Sequence, residues 1–178
     1  MSKPRLLLHD CCAPCGGFLF HELSKDYEVS IYYDNSNIHP VEEYKKRRDE
    51  AKKYFTSQGA DFFEFQYDHK EWLEAIKGLE NEPEKGKRCA MCFCIRLEKT
   101  ASFAASHKFD YFATTLSISP HKDAKLINAE GERLAEIKDI KFLAGDWKKR
   151  NGFLKAMKFS AAQNFYRQNY CGCEFSAR

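Results

Sequence analysis

Eight cysteines fall into three short clusters in this 178-residue sequence. They read Cys11-Cys12-Ala-Pro-Cys15, Cys89-x-x-Cys92-x-Cys94 and Cys171-Gly-Cys173. About 75 residues separate one cluster from the next, and neighbours within a cluster are too close for ordinary structural bridges. A disulfide scaffold instead spaces its cysteines to staple loops, generally in a short secreted chain. Tight groups suit thiolates that converge on a metal centre or exchange electrons. The pattern points to redox or metal chemistry.

The first two clusters read as helix openings, where free amides and the helix dipole favour thiolates. Cys89-x-x-Cys92 has the shortest common spacing that puts two sulfurs on one metal or cluster. With Cys11 and Cys12 it supplies four thiolates, enough for a zinc ion or a [4Fe–4S] cube. Spacing does not choose between zinc, iron–sulfur and metal-free thiol chemistry. Cys171-x-Cys173 differs, because a disulfide there would close a small strained ring that is readily reduced. It suits a redox-active dithiol; together with Asp10 it could instead hold an additional metal. Cys15 and Cys94 read as structural, as buried free cysteines commonly are.

The elements that must position these groups follow from local pattern. Arg5-Leu-Leu-Leu-His9 reads as a buried first strand running straight into the first cluster. Pro14 suits the first turn of a helix continuing to about Lys25. Tyr27–Tyr33 reads as a second strand, 34–40 as a loop, and Val41–Gln58 as a charged helix stopped by Gly59. A third strand at 61–65, a helix at 69–77 and a polar, breaker-rich loop at 81–87 follow. A helix at about 91–107 carries the second cluster at its amino end, before strands at 111–115 and 141–143. Such alternation predicts an α/β fold, a Rossmann-like parallel sheet with helices on both faces and its site beyond the carboxyl ends of the strands. No repeat or boundary appears, so 1–178 reads as a single domain.

Bulk properties narrow the classes. Apolar residues make up 43% and charged residues 31%, a globular profile without a disorder signature. The apolar run after Met-Ser-Lys-Pro-Arg is too short for a signal peptide, and nothing approaches a membrane span. A cytoplasmic protein with reduced thiols is expected. Net charge is only +3 but uneven: from Trp147 onward seven Lys or Arg, including Arg178, face one acid, Glu174. These bases interleave with Phe153, Phe159, Phe165, Tyr166 and Tyr170, which fits either a nucleic-acid surface or a solvated amphipathic helix.

Other polar residues carry weaker signals. His9 reads as packed at the strand end, His39 as a loop residue that could meet substrate, and the Lys45–Arg48 run as a solvated helix face. Thr114, Thr115, Ser117 and Ser119 offer hydroxyls near the strand ends, where such groups usually satisfy backbone. There is no Ser-Gly-Gly-x-Asp-Ser phosphate loop, G-x-G-x-x-G or Walker lysine motif, so nucleotide hydrolysis lacks support.

Five stretches in order resemble the QueH-type epoxyqueuosine reductases. They are Leu8-His-Asp-Cys-Cys-Ala-Pro-Cys15; Asn37-Ile-His-Pro40 with Glu43-Tyr44 and Arg47; Arg88-Cys-x-x-Cys92 with Arg96-Leu97; Thr114-Thr-Leu-x-Ile-Ser-Pro120; and Gln168-Asn-Tyr-Cys-Gly-Cys-x-Phe-Ser176. The resemblance spans residues 6–176. It implies a fold related to the adenine-nucleotide α-hydrolases, with cysteines standing where those relatives carry a phosphate loop. It also implies cobalamin-independent reduction of epoxyqueuosine to queuosine at the tRNA wobble position.

The same resemblance makes Cys11, Cys12, Cys89 and Cys92 the expected ligands of a [4Fe–4S] cluster. Cys171 and Cys173 become a redox pair or ligands of an additional iron, and Asp10 a ligand or proton donor. It implies tRNA carrying epoxyqueuosine and an electron donor as partners, with no membrane. Tyr33, Tyr44 and Tyr170 are candidate base-stacking residues. Two departures stand out: Cys94 matches no expected family cysteine, and Asp34-Asn-Ser-Asn37 replaces the usual Asn-Pro-Asn. The alternatives are a zinc-stabilised tRNA-binding module and a thiol-based tRNA sulfurtransferase, the latter lacking an ATP motif.

Overall fold

The computed structural model describes residues 2–176, so Arg178 of the basic carboxyl-terminal stretch lies outside the described residues. Five strands form one sheet: β1 (Arg5–His9), β2 (Glu28–Tyr33), β3 (Phe62–Glu64), β4 (Tyr111–Thr114) and β5 (Lys141–Phe142). Their order is β3-β2-β1-β4-β5 and every pairing is parallel. Leu8 pairs with Ile31 on one side and Ala113 on the other. A continuous leucine run is what a strand buried on both faces requires. Leu6, Leu7 and Leu8 are indeed completely buried.

Strand alternation divides the core in two. Leu6, Leu8, Ile31 and Tyr33 face the helices α1 (Ala13–Leu23) and α2 (Val41–Ser57), packing on Leu19, Phe20, Ala51 and Phe55. Leu7, Tyr32 and Phe112 face α4 (Lys87–Ser106) and α5 (Ala124–Lys138), meeting Leu97, Ala101, Ile127 and Leu134. Each large apolar side chain contributes roughly 1.5–3 kcal/mol by leaving water. The short α3 (His69–Ala75), capped by Asp68 Oδ1 on the Glu71 amide at 2.9 Å, closes a third cluster through Trp72, Ile76, Cys92 and Cys173. Among the described residues no helix is long and apolar enough to cross a membrane.

Two helices depart from the sequence expectation. α4 begins at Lys87, not near 91, which puts Cys89 inside its first turn. The buried Arg88 explains this, because Nη1 donates to the carbonyls of Glu80 at 2.9 Å and Glu82, folding the 79–82 loop under the helix start. α5 was not expected. Its interior holds Gly131, where a Cβ would lie 2.4 Å from the Phe142 ring. The glycine lets the helix sit directly on β5. α6 (Gly152–Ala162) turns Phe159 toward Phe18, Tyr54 and Phe165, so Phe159 and Phe165 are half-buried against α1 and α2.

The crossovers leave β1 in opposite directions, toward β2 and toward β4. In open parallel sheets such a switch point opens a crevice beyond the carboxyl ends of its strands. Here those ends are His9-Asp10-Cys11 and Thr114-Thr115.

Candidate functional site

Local structure brings the first cysteines to this crevice. Cys12 is the N-cap of α1, with Pro14 at its second helical position, and Cys15 lies one turn on, its amide donating to the Cys12 carbonyl at 3.0 Å. The Sγ atoms of Cys11 and Cys12 are 3.7 Å apart, and those of Cys11, Cys12 and Cys15 lie within 4.8 Å of one another. Thr115 bridges the strands by donating its hydroxyl to Cys11 Sγ at 3.5 Å, and Gln168 Nε2 reaches Cys12 Sγ at 3.0 Å.

The other two clusters converge on the same place. A cavity of about 300 Å³ is lined by Cys11, Cys15, Cys89, Cys92, Cys171 and Cys173. Cys12 is buried directly behind Cys11. All eight cysteines carry free sulfurs. The structure therefore collects seven of them, and Cys94 alone points elsewhere, donating Sγ–H to Glu130 of α5 at 3.0 Å. Cys15, read from sequence as structural, is among these seven. Its three-residue offset from Cys12 at a helix start was the available signal, since such residues share a face.

Electrostatics concentrate negative charge on Cys11. Thiol hydrogen bonds from Cys12 and Cys15, then Lys122 and Arg96, hold it well below the usual thiol range. Cys12 and Cys15 are pushed up, first through the bonds they give to Cys11. Burial pushes Cys92 up to about 11. For Lys122, burial pulls the ammonium down, but Cys171, Cys11 and Cys15 outweigh it and hold it above its ordinary range. Arg96 is 3% exposed, anchored through Nη2 to Asn35 Oδ1, and lines the cavity with Lys122 and Arg88. Buried anionic sulfur needs such cations or a metal to offset its desolvation. The donor set fits a thiolate-bound metal centre.

The remaining candidates separate. Asp10 is fully buried and does not line the cavity; its Oδ1 faces Gly16, where a Cβ would lie 2.2 Å away. Burial, then the Cys11 charge, pushes its carboxyl well above the usual range. Tyr33 and Tyr44 pack on each other in the core at a ring separation of 5.7 Å and cannot stack on a base. Tyr170 does line the cavity, donating its hydroxyl to the His39 carbonyl at 2.6 Å. Arg47, read from sequence as solvated, is 2% exposed and donates to the Cys171 carbonyl. His9 packs at the strand end as expected, 2.9 Å from Thr114 Oγ1.

Comparison with known proteins points to one family. The family model described as epoxyqueuosine reductase QueH matches residues 6–178. Relatives named epoxyqueuosine reductase QueH include one from Haemophilus influenzae, 42% identical over 98% of this chain and 72% of its own length. One from Streptococcus pyogenes is 38% identical, covering 99% and 71% respectively. One from Acinetobacter baylyi is 40% identical, covering 100% and 88%. Two solved structures share the fold at 15% identity and a TM-score of 0.58. A predicted subunit of tRNA methyltransferase from Methanocaldococcus jannaschii matches over 88% of this chain and 74% of its own. The U34-tRNA thiolase NcsA from Methanococcus maripaludis, described with its [4Fe-4S] cluster, matches over 99% and 63%.

Proposed function

We propose, for a chain that belongs to the epoxyqueuosine reductase QueH family, that it reduces epoxyqueuosine in tRNA to queuosine, using an iron–sulfur centre and a pair of redox-active thiols. The observation that carries this reading is the single cavity on which cysteines of all three clusters open. Cys11, Cys12, Cys89 and Cys92 would hold a [4Fe–4S] cluster, which supplies electrons one at a time when bound. The net change takes epoxyqueuosine, two electrons and two protons to queuosine and water. The cytoplasm, where thiols stay reduced, suits this chemistry.

The chain's own residues have distinct tasks. Cys171 and Cys173, which line the same cavity, would act as a dithiol whose oxidation to a disulfide releases two electrons and two protons. Lys122 and Arg96 hold anionic sulfur inside the protein and present positive charge where the epoxide oxygen gains negative charge. Asp10, kept neutral by burial, stores a proton beside Cys11. Because Asp10 faces Gly16, its position favours the dithiol role over an additional iron shared with Cys171 and Cys173. Tyr170 offers its ring at the cavity wall to an extruded base, and the exposed Arg167 beside it offers charge to RNA phosphate. The electron donor is a separate reductant.

The test is direct. Anaerobically loaded protein is incubated with tRNA carrying epoxyqueuosine and a chemical reductant, and the nucleosides are weighed by mass spectrometry. Loss of one oxygen atom from the modified base is expected. An unchanged base under these conditions would remove the reductase reading.

A further inference from the structure

His39, His69 and Glu174 meet from three separate stretches: the loop after β2, the first residue of α3, and the tail just beyond Cys173. One ligand atom from each lies within 4.8 Å of the other two. None of the three lines the sulfur cavity, and the reductase reading uses none of them.

Hydrogen-bond logic shows what the group lacks. His69 Nδ1 lies 2.8 Å from the Ser36 carbonyl oxygen, which only accepts, so Nδ1 carries the hydrogen. The other ring nitrogen, Nε2, faces Glu174 Oε1 at 2.9 Å. A carboxylate also only accepts. With a neutral ring two lone pairs would meet, so the contact calls for a cation, either a proton or a metal ion. An imidazole whose far nitrogen is tied to a backbone carbonyl is the usual arrangement of a metal-bound histidine.

The surroundings favour the metal ion. Tyr67 and Trp72 flank the His69 ring in stacked orientations, with centroids at 6.1 and 5.5 Å, which fixes its plane. His39 stacks on it at 4.9 Å, with an interplanar angle of 26°. Two stacked imidazoles repel if both are protonated, whereas one divalent ion is shared by both in their neutral form. Two imidazoles and a carboxylate form a donor set suited to zinc-class ions, with a position left for water.

We propose that His39, His69 and Glu174 form a binding site for a divalent first-row transition ion, distinct from the sulfur centre. Its task is to fasten the tail that carries Cys171 and Cys173. That tail is already tied to the same loop, since the His39 amide donates to the Gly172 carbonyl at 2.8 Å and Tyr170 donates to the His39 carbonyl. An ion on Glu174 adds a fastening on the far side of Cys173.

Zinc K-edge absorption fine structure on cluster-loaded protein, given one equivalent of Zn²⁺, tests the site. His39 and Glu174 are both exposed, so His39→Asn and Glu174→Gln leave the core intact. The expected first shell contains only nitrogen and oxygen at about 2.0–2.2 Å. Zinc affinity is expected to fall at least tenfold in each variant. A sulfur shell near about 2.3 Å, or equal affinity in wild type and both variants, would overturn the proposal and leave His69–Glu174 an ion pair only. Iron and sulfide content, read on the same samples, reports the sulfur centre separately, so failure of one reading does not mask the other.

Discussion

Arg47 Nη1 donates to the carbonyl of Cys171 at 3.0 Å, across 124 residues of chain. Its Nε is paired with Glu43 Oε1 at 2.7 Å, and the guanidinium is almost wholly enclosed. A buried arginine spanning helix and tail fixes where the Cys171 main chain lies, so Arg47 is a positioning residue. Arg47→Gln is expected to lower kcat/KM at least about tenfold, or about 1.4 kcal/mol, close to the lower end for a hydrogen bond to a charged group. Iron content should stay unchanged. Activity within twofold of wild type would show that the tail is held by other contacts.

Gly172 makes the turn between the two tail cysteines with φ at +129°, a conformation side chains rarely adopt. A Cβ there would also stand 3.0 Å from Ile38 Cγ1 and 3.1 Å from Arg47 Nη1. Gly172→Ala is expected to cost about 1–3 kcal/mol of strain. Each kcal/mol lowers the melting temperature by about 2–4 °C in a chain of this size. Reduction of substrate should fall with it, read by the same nucleoside assay.

Cys94 lies on the α5 side of α4, hydrogen-bonded to Glu130 and outside the cavity. A serine hydroxyl can make the same bond. Cys94→Ser should therefore retain full iron, sulfide and activity, measured beside a Cys92→Ser variant that loses all three. Loss of iron in Cys94→Ser would show that this sulfur belongs to the centre.

Burial holds His9 neutral in the folded chain, lowering its pKa to about 3. Unfolded, the ring takes a proton below about pH 6.5, so the unfolded state binds more protons between pH 6.5 and 3. This contribution is fully present above pH 6.5 and is lost as pH falls toward 3. Buried Asp10, raised well above its ordinary range, acts in the opposite direction. The clean observable is thus a difference. From pH 7 to 5, His9→Asn should spare about 2 kcal/mol of the denaturant stability change relative to wild type. Parallel curves for the two proteins would contradict a neutral buried His9.

Much of the frame is legible locally. The leucine run, Pro14 after Cys12 and the alternation of strand and helix each signal their element within a few residues, and the sulfur clusters announce the chemistry. What escaped has long-range causes. Arg47 sits in a charged helical run that reads as solvated, and only the tail, brought back by the fold, encloses it. Tyr33 and Tyr44 look available until their strand and helix pack together. The role of Gly131 has no local sign because its partner Phe142 is eleven residues further along the chain, on a strand of two residues. Lys122 and Arg96 carry no local signal of their proximity to sulfur, which arises where α4 and the loop before α5 meet the end of β1.

The central claim is that the converging cysteines hold an iron–sulfur centre. Iron, acid-labile sulfide and zinc, measured together on protein purified without oxygen, test it most directly. About four iron and four sulfide per chain, as a thiolate-bound [4Fe–4S] centre requires, is the expected result. A colourless protein holding one or two zinc ions and no sulfide would contradict it.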